Sequence, residues 1–598
     1  MSLFQRPIQP LFKKLLFLAF LLLFSVIISA QPDRWERQAT MIPMRDGVRL
    51  FTKIYTPKDA ARDLPILILR TPYGVGGEED FNRQLQPGGT FEYLLDDGYI
   101  FVFQDVRGKY RSEGDFVMMR PLAEDAESID EATDAYDTVD WLIGSVAGNN
   151  GRAGIFGISY DGLLTVMAAL RPHPALAAVS PQASPADQFL LDDFMHFGAF
   201  RLSPTFGYTY LVGTSGETRP FAFDQKDTYE WFLELGPIRN ASKYLTEAKE
   251  GWIDYQEHPN YDAFWKAQSM LTYLDEVQVP TLNVVGWWDA EDFNGSMEIY
   301  EEWEQKDPRG INHLAVGPWF HGGWWRTNFT EFGELEFMED PSRYYRQHIE
   351  APFFRKYLHG EESIALPEAW VYQTGADGWR TYDDWPAEAL SREISLYLGP
   401  QRTLATTPPE GEGGYSEYVS DPANPVPYVA RPIPGFWQDT KSKSHWKVAD
   451  QRFVQYRPDV LHFETEPLEE DLVLSGEIVA RLYASTTGSD ADWIVKLIDV
   501  YPEDYPEDPA MGGYQLMIAD EVLRGRYRNS FEEPGAIPAN EVVPFTIQLN
   551  NRHHRFRRGH KIMVQIQSTW FPLIDRNPQR FVDIFEAGED DFQKATHR

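Results

Sequence analysis

The chain has 598 residues, and because single hydrophobic cores stop growing near about 250–300 residues, two or three domains are expected. Hydrophobic residues make up 43% of the chain, which excludes disordered and fibrous classes. The net charge of −36 would repel nucleic-acid phosphates and anionic lipid, so no nucleic-acid partner is expected. The absence of cysteine excludes disulfides, thiolate metal sites and cysteine nucleophiles, which leaves Ser, Thr, His, Lys and carboxylates for chemistry.

The first thirty residues have the order of a secretory signal. Arg6, Lys13 and Lys14 precede an apolar run over residues 15–28, and small residues follow up to Ala30. We expect a signal peptide over residues 1–30, a periplasmic or secreted protein, and no membrane attachment after cleavage. The alternative is an uncleaved N-terminal anchor, which the shortness of the apolar run disfavours.

The first half of the remaining chain alternates strand and helix patterns. Apolar, β-rich runs bounded by Gly, Pro or Asp alternate with segments whose apolar residues recur every three or four positions. This alternation predicts a mostly parallel sheet covered on both faces, over residues 31–184 and 278–366. The predicted strands are 48–55, 64–70, 99–105, 152–156, 281–285 and 313–316, and the predicted helices are 127–143, 163–170 and 296–304.

Two regions depart from this alternation. Residues 185–277 are rich in aromatic residues and short helical patterns, which predicts a helical insertion, or cap. Residues 367–598 carry β-rich runs separated by turn residues, which predicts an all-β sandwich or jelly roll. Within that second region, the Pro- and Gly-rich residues 407–435 are expected to form a packed loop, because they include several tyrosines.

The most specific local motif is Gly-Ile-Ser-Tyr-Asp-Gly at residues 157–162. It follows a predicted strand and opens a predicted helix, which is the context of a nucleophile elbow presenting Ser159. The second glycine falls one position later than in the strict Gly-x-Ser-x-Gly pattern, where Asp161 stands instead. Since the motif alone is weak, the alternative is a Gly-rich turn with a capping serine.

A serine nucleophile needs a histidine to take its proton and a carboxylate to orient that histidine. In α/β hydrolases these residues follow later strands in the order acid, then histidine. Asp289 follows the strand at 281–285 and His321 follows the strand at 313–316, so both are candidates. Asp289 could instead be a helix N-cap. His313 lies at the start of its strand, the wrong end of a parallel sheet for catalysis.

The tetrahedral intermediate also needs hydrogen-bond donors for its oxyanion. The backbone N–H of Tyr160, directly after the nucleophile, is one candidate. The phenol of Tyr73, in the loop after an early strand, is the second, and its alternative is a packed loop aromatic residue.

Several segments together resemble one family, the cocaine-esterase and X-Pro dipeptidyl-peptidase-like serine hydrolases, and within it the α-amino acid ester hydrolases, or β-lactam antibiotic acylases. The segments, besides the loops of Asp289 and His321, are Met-Arg-Asp-Gly-Val at 44–48, Arg-Thr-Pro-Tyr at 70–73, Gln-Asp-Val-Arg-Gly at 104–108, Gly-Ile-Ser-Tyr-Asp-Gly at 157–162, Gly-Gly-Tyr at 512–514, Arg-Gly-Arg-Tyr-Arg at 524–528 and Gln-Ser-Thr-Trp-Phe-Pro at 567–572. The resemblance implies an α/β-hydrolase fold with a helical cap and a C-terminal jelly roll. It also implies a homo-oligomer, a tetramer.

The resemblance further implies that three carboxylates bind the α-ammonium group of the substrate. The matching residues are Asp193, Glu291 and Asp292, and the alternative is that they are ordinary surface acids of an acidic protein. Phe320 and Trp287 depart from the family pattern, and both are expected to alter the acyl pocket.

The expected function is therefore two-step acyl transfer without cofactor or metal, on small α-amino acid esters and amides, including β-lactam amides. Related alternatives are an esterase for uncharged acyl groups, a glutaryl acylase or an X-Pro dipeptidyl peptidase. An alternative of another class is a secreted carbohydrate-binding protein with an inactive hydrolase half.

Overall fold

A computed structural model describes residues 34–76, 84–125, 128–213, 218–246, 249–376, 378–411 and 414–598. The expected signal peptide, residues 1–30, lies outside the described residues. In chain order, the strands are β1 Trp35–Pro43, β2 Arg49–Pro57, β3 Leu64–Thr71, β4 Ile100–Asp105, β5 Asn149–Ile158, β6 Leu176–Gln182, β7 Met195–His196, β8 Ala199–Phe200, β9 Thr281–Gly286, β10 Asn312–Gly317, β11 Glu331–Phe332, β12 Leu335–Glu336, β13 Ala369–Gln373, β14 Gly378–Tyr382, β15 Tyr397–Leu398, β16 Leu404–Ala405, β17 Tyr418–Ser420, β18 Leu461–Glu464, β19 Leu472–Gly476, β20 Val479–Ala484, β21 Asp492–Val500, β22 Gln515–Arg524, β23 Val543–Gln548, β24 Arg552–Phe556, β25 Lys561–Gln567 and β26 Ala595–His597.

Most helices lie in the first two thirds of the chain. The α-helices are Glu92–Asp97, Glu131–Ser145, Tyr160–Leu170, Leu202–Val212, Thr228–Leu235, Lys249–Glu257, Ala263–Gln268, Phe293–Glu304, Pro341–Tyr345, Ala351–Phe354 and Thr440–Lys443, with π-helical turns at Arg346–Glu350 and Arg355–His359. The 3₁₀ turns are Ile238–Lys243, Met270–Tyr273, Gly323–Trp325, Glu388–Leu390, Pro400–Arg402, His445–Lys447, Gln451–Val454, Pro509–Met511, Gly525–Tyr527 and Glu589–Asp591. In the described part of the chain, no helix has both the length and the apolar character needed to cross a membrane.

A ten-stranded sheet forms the framework of the first domain, in the order β1-β2-β4-β3-β5-β6-β9-β10-β13-β14. The strands from β4 to β13 run parallel, and β1, β2 and β14 pair antiparallel at the edges. Strands β3, β4, β9 and β10 are buried along their whole length because helices cover both faces, which explains their continuous apolar sequences. The expected α/β-hydrolase fold is confirmed.

The sheet continues beyond the boundary expected at residue 366. Strand β13 pairs in parallel with β10 through Leu314 and Ala369, and β14 adds an antiparallel edge. The sequence favours the β domain for these residues because helical periodicity ends before them. Strand β13 is buried along its whole length, so its sequence lacks an alternation of apolar and polar residues. Without that alternation, the sequence does not show whether the strand belongs to the sheet of the first domain or to the β domain.

The cap is inserted between β6 and β9. Its helices are packed through a cluster of aromatic rings with centroids 4.9 to 6.4 Å apart, formed by Phe206, Phe221, Phe223, Trp231, Phe232 and Tyr244. These rings explain why aromatic residues replace the strand pattern here, since edge-to-face contacts bury large apolar area on short helices.

The β domain contains a four-stranded antiparallel sheet, β18-β25-β21-β22, with further pairs β19-β24, β20-β23 and β17-β26. The connection before β18 was expected to be packed, and it is packed from β17 onward, where Tyr418, Tyr428 and Phe436 are buried. Before β17, Tyr415 is exposed. The segment that follows, residues 436–447, leaves the β domain and reaches the carboxyl ends of the parallel strands, where it contacts residues of the cap and the first domain.

Candidate active site

Ser159 lies on a sharp turn between β5 and the helix Tyr160–Leu170. Its backbone has φ 66° and ψ −127°, a conformation that is uncommon for a residue with a side chain and typical of functional turns. The turn closes because two glycines leave room. A Cβ at Gly157 would lie 2.4 Å from Asp161 Cβ, and one at Gly162 would lie 2.6 Å from the backbone oxygen of Gln182. The displaced second glycine of the motif therefore serves the turn, and Asp161 is part of its packing.

Asp289 and His321 meet beyond the ends of β9 and β10. The Nδ1 atom of His321 donates to Asp289 Oδ2 at 2.9 Å, and both side chains are buried. Burial lowers the pKa of His321, but the charges of Asp289 and Glu291 outweigh it, so the pKa lies above its usual value. Burial likewise opposes ionisation of Asp289, yet His321 and two backbone N–H groups hold its pKa below the usual range. This is the orientation that a catalytic imidazole requires.

Asp289 is not the helix N-cap of the alternative interpretation, because Asp292 holds that position in the helix Phe293–Glu304. The Oδ1 atom of Asp289 accepts from the backbone N–H groups of Glu291, at 2.8 Å, and Asp292, at 3.2 Å, as a turn-capping carboxylate does. Its Oδ2 is thereby fixed toward His321. The other histidine, His313, bonds to the backbone oxygen of Pro367 at the opposite end of the sheet, where no candidate site residue lies among those described.

The candidate catalytic atoms of Ser159 and His321 each face a carboxylate. Ser159 Oγ lies 3.5 Å from Asp292 Oδ2, and His321 Nε2 lies 3.6 Å from Glu291 Oε2. No hydrogen bond joins Ser159 to His321 among the described residues, although such bonds between nucleophile and base are often loose in a free enzyme and tighten in the complex with substrate. The structure brings Ser159, His321 and two of the predicted ammonium ligands into one buried site.

Tyr73, the second candidate oxyanion donor, lies near Ser159. Its phenol is 3.1 Å from the phenol of Tyr208, and Ser159 is close enough to affect its pKa. Burial, reinforced by the charge of Asp161, raises the pKa of Tyr73 well above its usual value, so the group remains a neutral donor. The hydroxyl of Tyr160 accepts from the backbone N–H of Met119 at 2.9 Å, so the side chain is anchored there and the backbone N–H of Tyr160 is the candidate oxyanion donor.

Asp193, Glu291 and Asp292, the carboxylate cluster, are buried, with exposed fractions of 6%, 3% and 0%. Asp193 Oδ1, Glu291 Oε1 and Asp292 Oδ1 accept no hydrogen bond from any described residue. Burial, with the neighbouring charge of Glu291, raises the pKa of Asp193 to about 6. Burial and the charge of Asp193 raise the pKa of Asp292 well above its usual value. These are buried acceptors and not ordinary surface acids, and a bound cation would relieve their mutual repulsion.

Two cations border the carboxylate cluster, and neither is predicted from the sequence. The guanidinium of Arg201 lies 3.8 Å from Asp193 Oδ1 and donates to the backbone oxygen of Ala290, which fixes the loop that carries Glu291. Lys443 Nζ lies 3.3 Å from Glu291 Oε1. Arg201 lies eight residues after Asp193 in the sequence, so its position offered a signal. Lys443 follows His321 by more than a hundred residues, and no local pattern marks it.

The two departures from the family pattern have different surroundings. Phe320 packs against Phe329 and Phe332, with ring centroids 5.6 and 5.2 Å apart, beside the candidate base. Trp287 is buried in the first domain, where its indole N–H donates to the backbone oxygen of Tyr372 at 2.7 Å. Of the two, Phe320 is the one whose ring is only partly buried beside His321.

The fold and this site define the class of protein: a serine hydrolase of the α/β-hydrolase fold. Residues 46–323 match the X-Pro dipeptidyl-peptidase (S15) family, and residues 364–596 match the X-Pro dipeptidyl-peptidase C-terminal non-catalytic domain. The cocaine esterase of Rhodococcus sp. (strain MB1 Bresler) is 30% identical over 564 residues, which cover 90% of this chain and 91% of that one. The chain belongs to this S15 family of serine hydrolases and esterases.

Two solved structures are similar over almost the whole chain. An α-amino acid ester hydrolase has 40% sequence identity and a TM-score of 0.90, covering 96% of each chain. An aminopeptidase from a marine sediment archaeon, a Thaumarchaeota archaeon, also has 40% identity and a TM-score of 0.90, covering 94% of each chain. The family resemblance predicted from sequence is thereby confirmed.

Proposed function

We propose that this hydrolase cleaves α-amino acyl esters and amides, and that the carboxylate cluster selects the substrate by its α-ammonium group. The observation that carries the proposal is a group of three buried carboxylates at Ser159, one of which, Asp292, contacts the Ser159 hydroxyl. Each of the three has an oxygen that accepts no hydrogen bond from the described residues. A cationic amine bound there places the neighbouring acyl carbonyl at the nucleophile. The two similar structures support the proposal, since an aminopeptidase and an α-amino acid ester hydrolase both take their names from substrates with an amino group.

The reaction proceeds in two steps. His321 accepts the proton of Ser159 as its oxygen attacks the carbonyl, and Asp289 holds the imidazole and its charge. The Tyr73 phenol and the Tyr160 backbone N–H donate to the oxyanion. The tetrahedral intermediate collapses, His321 gives its proton to the leaving alcohol or amine, and an acyl-enzyme remains on Ser159. Water, activated by His321, then releases the amino acid.

The acyl-enzyme also offers a route to transfer. An amine that reaches the site before water, such as the amino group of a β-lactam nucleus, takes the acyl group and forms an amide. The measurement is the ratio of amide to hydrolysed acid when a β-lactam nucleus is added to the ester reaction. A ratio that does not rise with the concentration of added amine contradicts acyl transfer.

The deciding experiment compares phenylglycine methyl ester with methyl phenylacetate, which lacks only the amine. Charge-assisted hydrogen bonds contribute about 1.5–3 kcal/mol each, so loss of the amine should lower kcat/KM by about tenfold to a hundredfold or more. Equal kcat/KM values contradict the ammonium site and favour an esterase for uncharged acyl groups. Preference for a glutaryl amide or an X-Pro dipeptide would favour the other family activities.

Ser159→Ala is the control for the nucleophile. The variant is expected to fold normally and to lose turnover of both esters, and Ser159 is expected to be labelled by a fluorophosphonate. Substantial turnover by the variant would show that another group is the nucleophile, and an unlabelled, inactive wild type would favour the binding-protein alternative.

The location and assembly of the enzyme are part of the same proposal. A leader over residues 1–30 would export it to the periplasm or the medium, and family resemblance favours a tetramer. Cell fractionation and light scattering of the purified protein test these two statements separately.

A further inference from the structure

The carboxylate cluster faces an ammonium group of the chain itself. Lys443 Nζ lies 3.3 Å from Glu291 Oε1 and 4.5 Å from the centre of the Trp437 ring. The Lys443 side chain is 31% exposed and the Glu291 side chain only 2%. The lysine therefore reaches from the protein surface to a buried carboxylate beside the nucleophile.

The contact is electrostatic and lacks the geometry of a hydrogen bond. Glu291 Oε1 accepts no hydrogen bond from the described residues, although Lys443 Nζ is close enough to neutralise it. A lysine ammonium and a substrate α-ammonium are both compact cations with three N–H donors. Because a substrate amine is free to align its donors, it can make the hydrogen bond that Lys443 does not make.

We propose that Lys443 is an internal occupant of the ammonium site, which the α-ammonium of the substrate displaces from Glu291. This inference rests on the proposed function. In the free enzyme, Lys443 balances the charge of Glu291, whose other oxygen faces His321 Nε2. In the complex, the substrate cation takes over that balance, while an acyl group without an amine leaves Lys443 in place.

The surroundings of Lys443 allow its side chain to move while its backbone stays. The indole N–H of Trp437 donates to the backbone oxygen of Pro204 at 3.0 Å, and its ring lies 5.6 Å from that of Tyr208. These contacts fix the segment against the cap. The face of the Trp437 ring remains available to the displaced ammonium as a cation–π partner.

The test uses Lys443→Met in the full-length enzyme, with both esters of the paired assay. The ion pair between Lys443 and Glu291 competes with the substrate amine and contributes about 1 kcal/mol. Removing it should therefore lower KM for phenylglycine methyl ester about fivefold. Because the charge of Lys443 also lowers the pKa of His321, the constants are compared on the alkaline plateau of the pH profile, where His321 is neutral. There, the kcat for that ester and both constants for methyl phenylacetate should stay near the wild-type values. Lys443→Arg, which keeps the cation, should keep the wild-type KM.

Lys441→Met is the matched control. Lys441 lies on the same short helix but donates to the backbone oxygen of Ala430, away from the carboxylate cluster. This variant loses the same charge two residues away and should leave the constants for both esters unchanged. An equal fall of KM in both variants would show a general charge effect and would overturn the proposal.

The inference and the proposed function fail in different ways. Equal turnover of the two esters by the wild type removes the ammonium site itself. A wild type that prefers the amino ester, together with an unchanged or raised KM in Lys443→Met, keeps the ammonium site and overturns displacement. Lys443 would then be a positioning residue that holds Glu291 for the substrate.

Discussion

Tyr73 and Tyr208 place two buried hydroxyl groups side by side, 3.1 Å apart, at the candidate nucleophile. Both phenols have pKa values raised well above the usual value by burial, so both remain protonated at neutral pH. Ser159 is close enough to Tyr73 to affect the pKa of its phenol. This arrangement suits Tyr73 as the candidate oxyanion donor and Tyr208 as the group that orients it.

Tyr73→Phe tests this division. Losing one oxyanion donor should lower kcat about a hundredfold to a thousandfold with little change of KM, because the donor acts mainly in the transition state. Tyr208→Phe removes the supporting hydroxyl and should cost much less. Steady-state kinetics of both variants measure this, and a Tyr73→Phe variant with near wild-type kcat would remove Tyr73 from the oxyanion site.

The carboxylate cluster should make the preference for substrates with an α-ammonium group depend on pH. Burial raises the pKa of Asp193 to about 6, so Asp193 is a carboxylate above that pH and a neutral acid below it. As pH falls through about 6, the site loses a negative charge, and preference for phenylglycine methyl ester over methyl phenylacetate should fall. The ratio of the two kcat/KM values, measured from pH 5 to 7.5, cancels the titration of His321, which affects both esters.

Asp193→Asn is the variant for this pH profile. It should lower the ratio at pH 7 and flatten its change near pH 6. A ratio that stays constant with pH in the wild type would contradict ammonium binding by Asp193.

The candidate site could be predicted from sequence only where a residue follows a recognisable element. Ser159, Asp289 and His321 follow the ends of strands, and the structure brings Asp289 into contact with His321. Their catalytic roles remain predictions. Tyr208, Trp437 and Lys443 reach the site through tertiary packing between the cap and a connection of the β domain, and no short-range pattern encodes such contacts.

At the scale of elements, the nucleophile turn depends on the close approach of the helix Tyr160–Leu170 to β6. Gly162 faces the backbone oxygen of Gln182, and a methyl group at that position would lie 2.6 Å from it. Neither backbone can yield without shifting the turn, so this glycine fixes both the helix position and the Tyr160 N–H.

Gly162→Ala should therefore destabilise the protein by about 1–3 kcal/mol and reduce kcat. Gly144→Ala is the matched control, because Gly144 lies in the helix Glu131–Ser145 with nothing within 4 Å of the added methyl group. That variant should be as stable as the wild type or more stable, by about 0.5–1 kcal/mol. Denaturant titration compares the stabilities of Gly162→Ala and Gly144→Ala. Equal stabilities would show that the helix Tyr160–Leu170 can move away from β6 to accommodate the added methyl group.

Strands with a clear pattern were predictable, and those without one were not. Six strands of the first domain were predicted to within a few residues, since they are apolar and bounded by turn residues. Strand β24, Arg-His-His-Arg-Phe, is polar in sequence yet buried, because His554 bonds to Thr374 and Asp499. A polar strand satisfied by tertiary hydrogen bonds resembles a loop in sequence.

At the scale of the whole molecule, the β domain is joined to the active-site elements through Glu521 on β22. Its carboxylate accepts from His196 of the cap at 2.9 Å and from Asn294, on the helix after Asp292, at 3.0 Å. Burial lowers the pKa of His196, so the neutral ring donates through Nδ1. One buried carboxylate thus ties three parts of the protein together.

Glu521→Ala should destabilise the protein by about 2–3 kcal/mol, because two buried donors lose their acceptor. Glu507→Ala is the control in the same domain. Glu507 is 71% exposed and pairs with Arg557 at the surface, so its loss should cost at most about 1 kcal/mol. The measurement is the denaturation midpoint of each variant, which should be lower for Glu521→Ala than for Glu507→Ala. Equal midpoints would contradict the coupling of the domains through Glu521.

The pairing of β26 with β17 connects residues 595–597 to the chain segment that reaches the candidate active site. Tyr418 pairs with His597 and Ser420 with Ala595, and β17 leads into the segment that carries Trp437 and Lys443. Detachment of β26 would expose the hydrogen-bonding groups of β17 and loosen that attachment. Conditions that detach this one short strand should therefore change the kinetics of the enzyme while most of its sheet structure is intact.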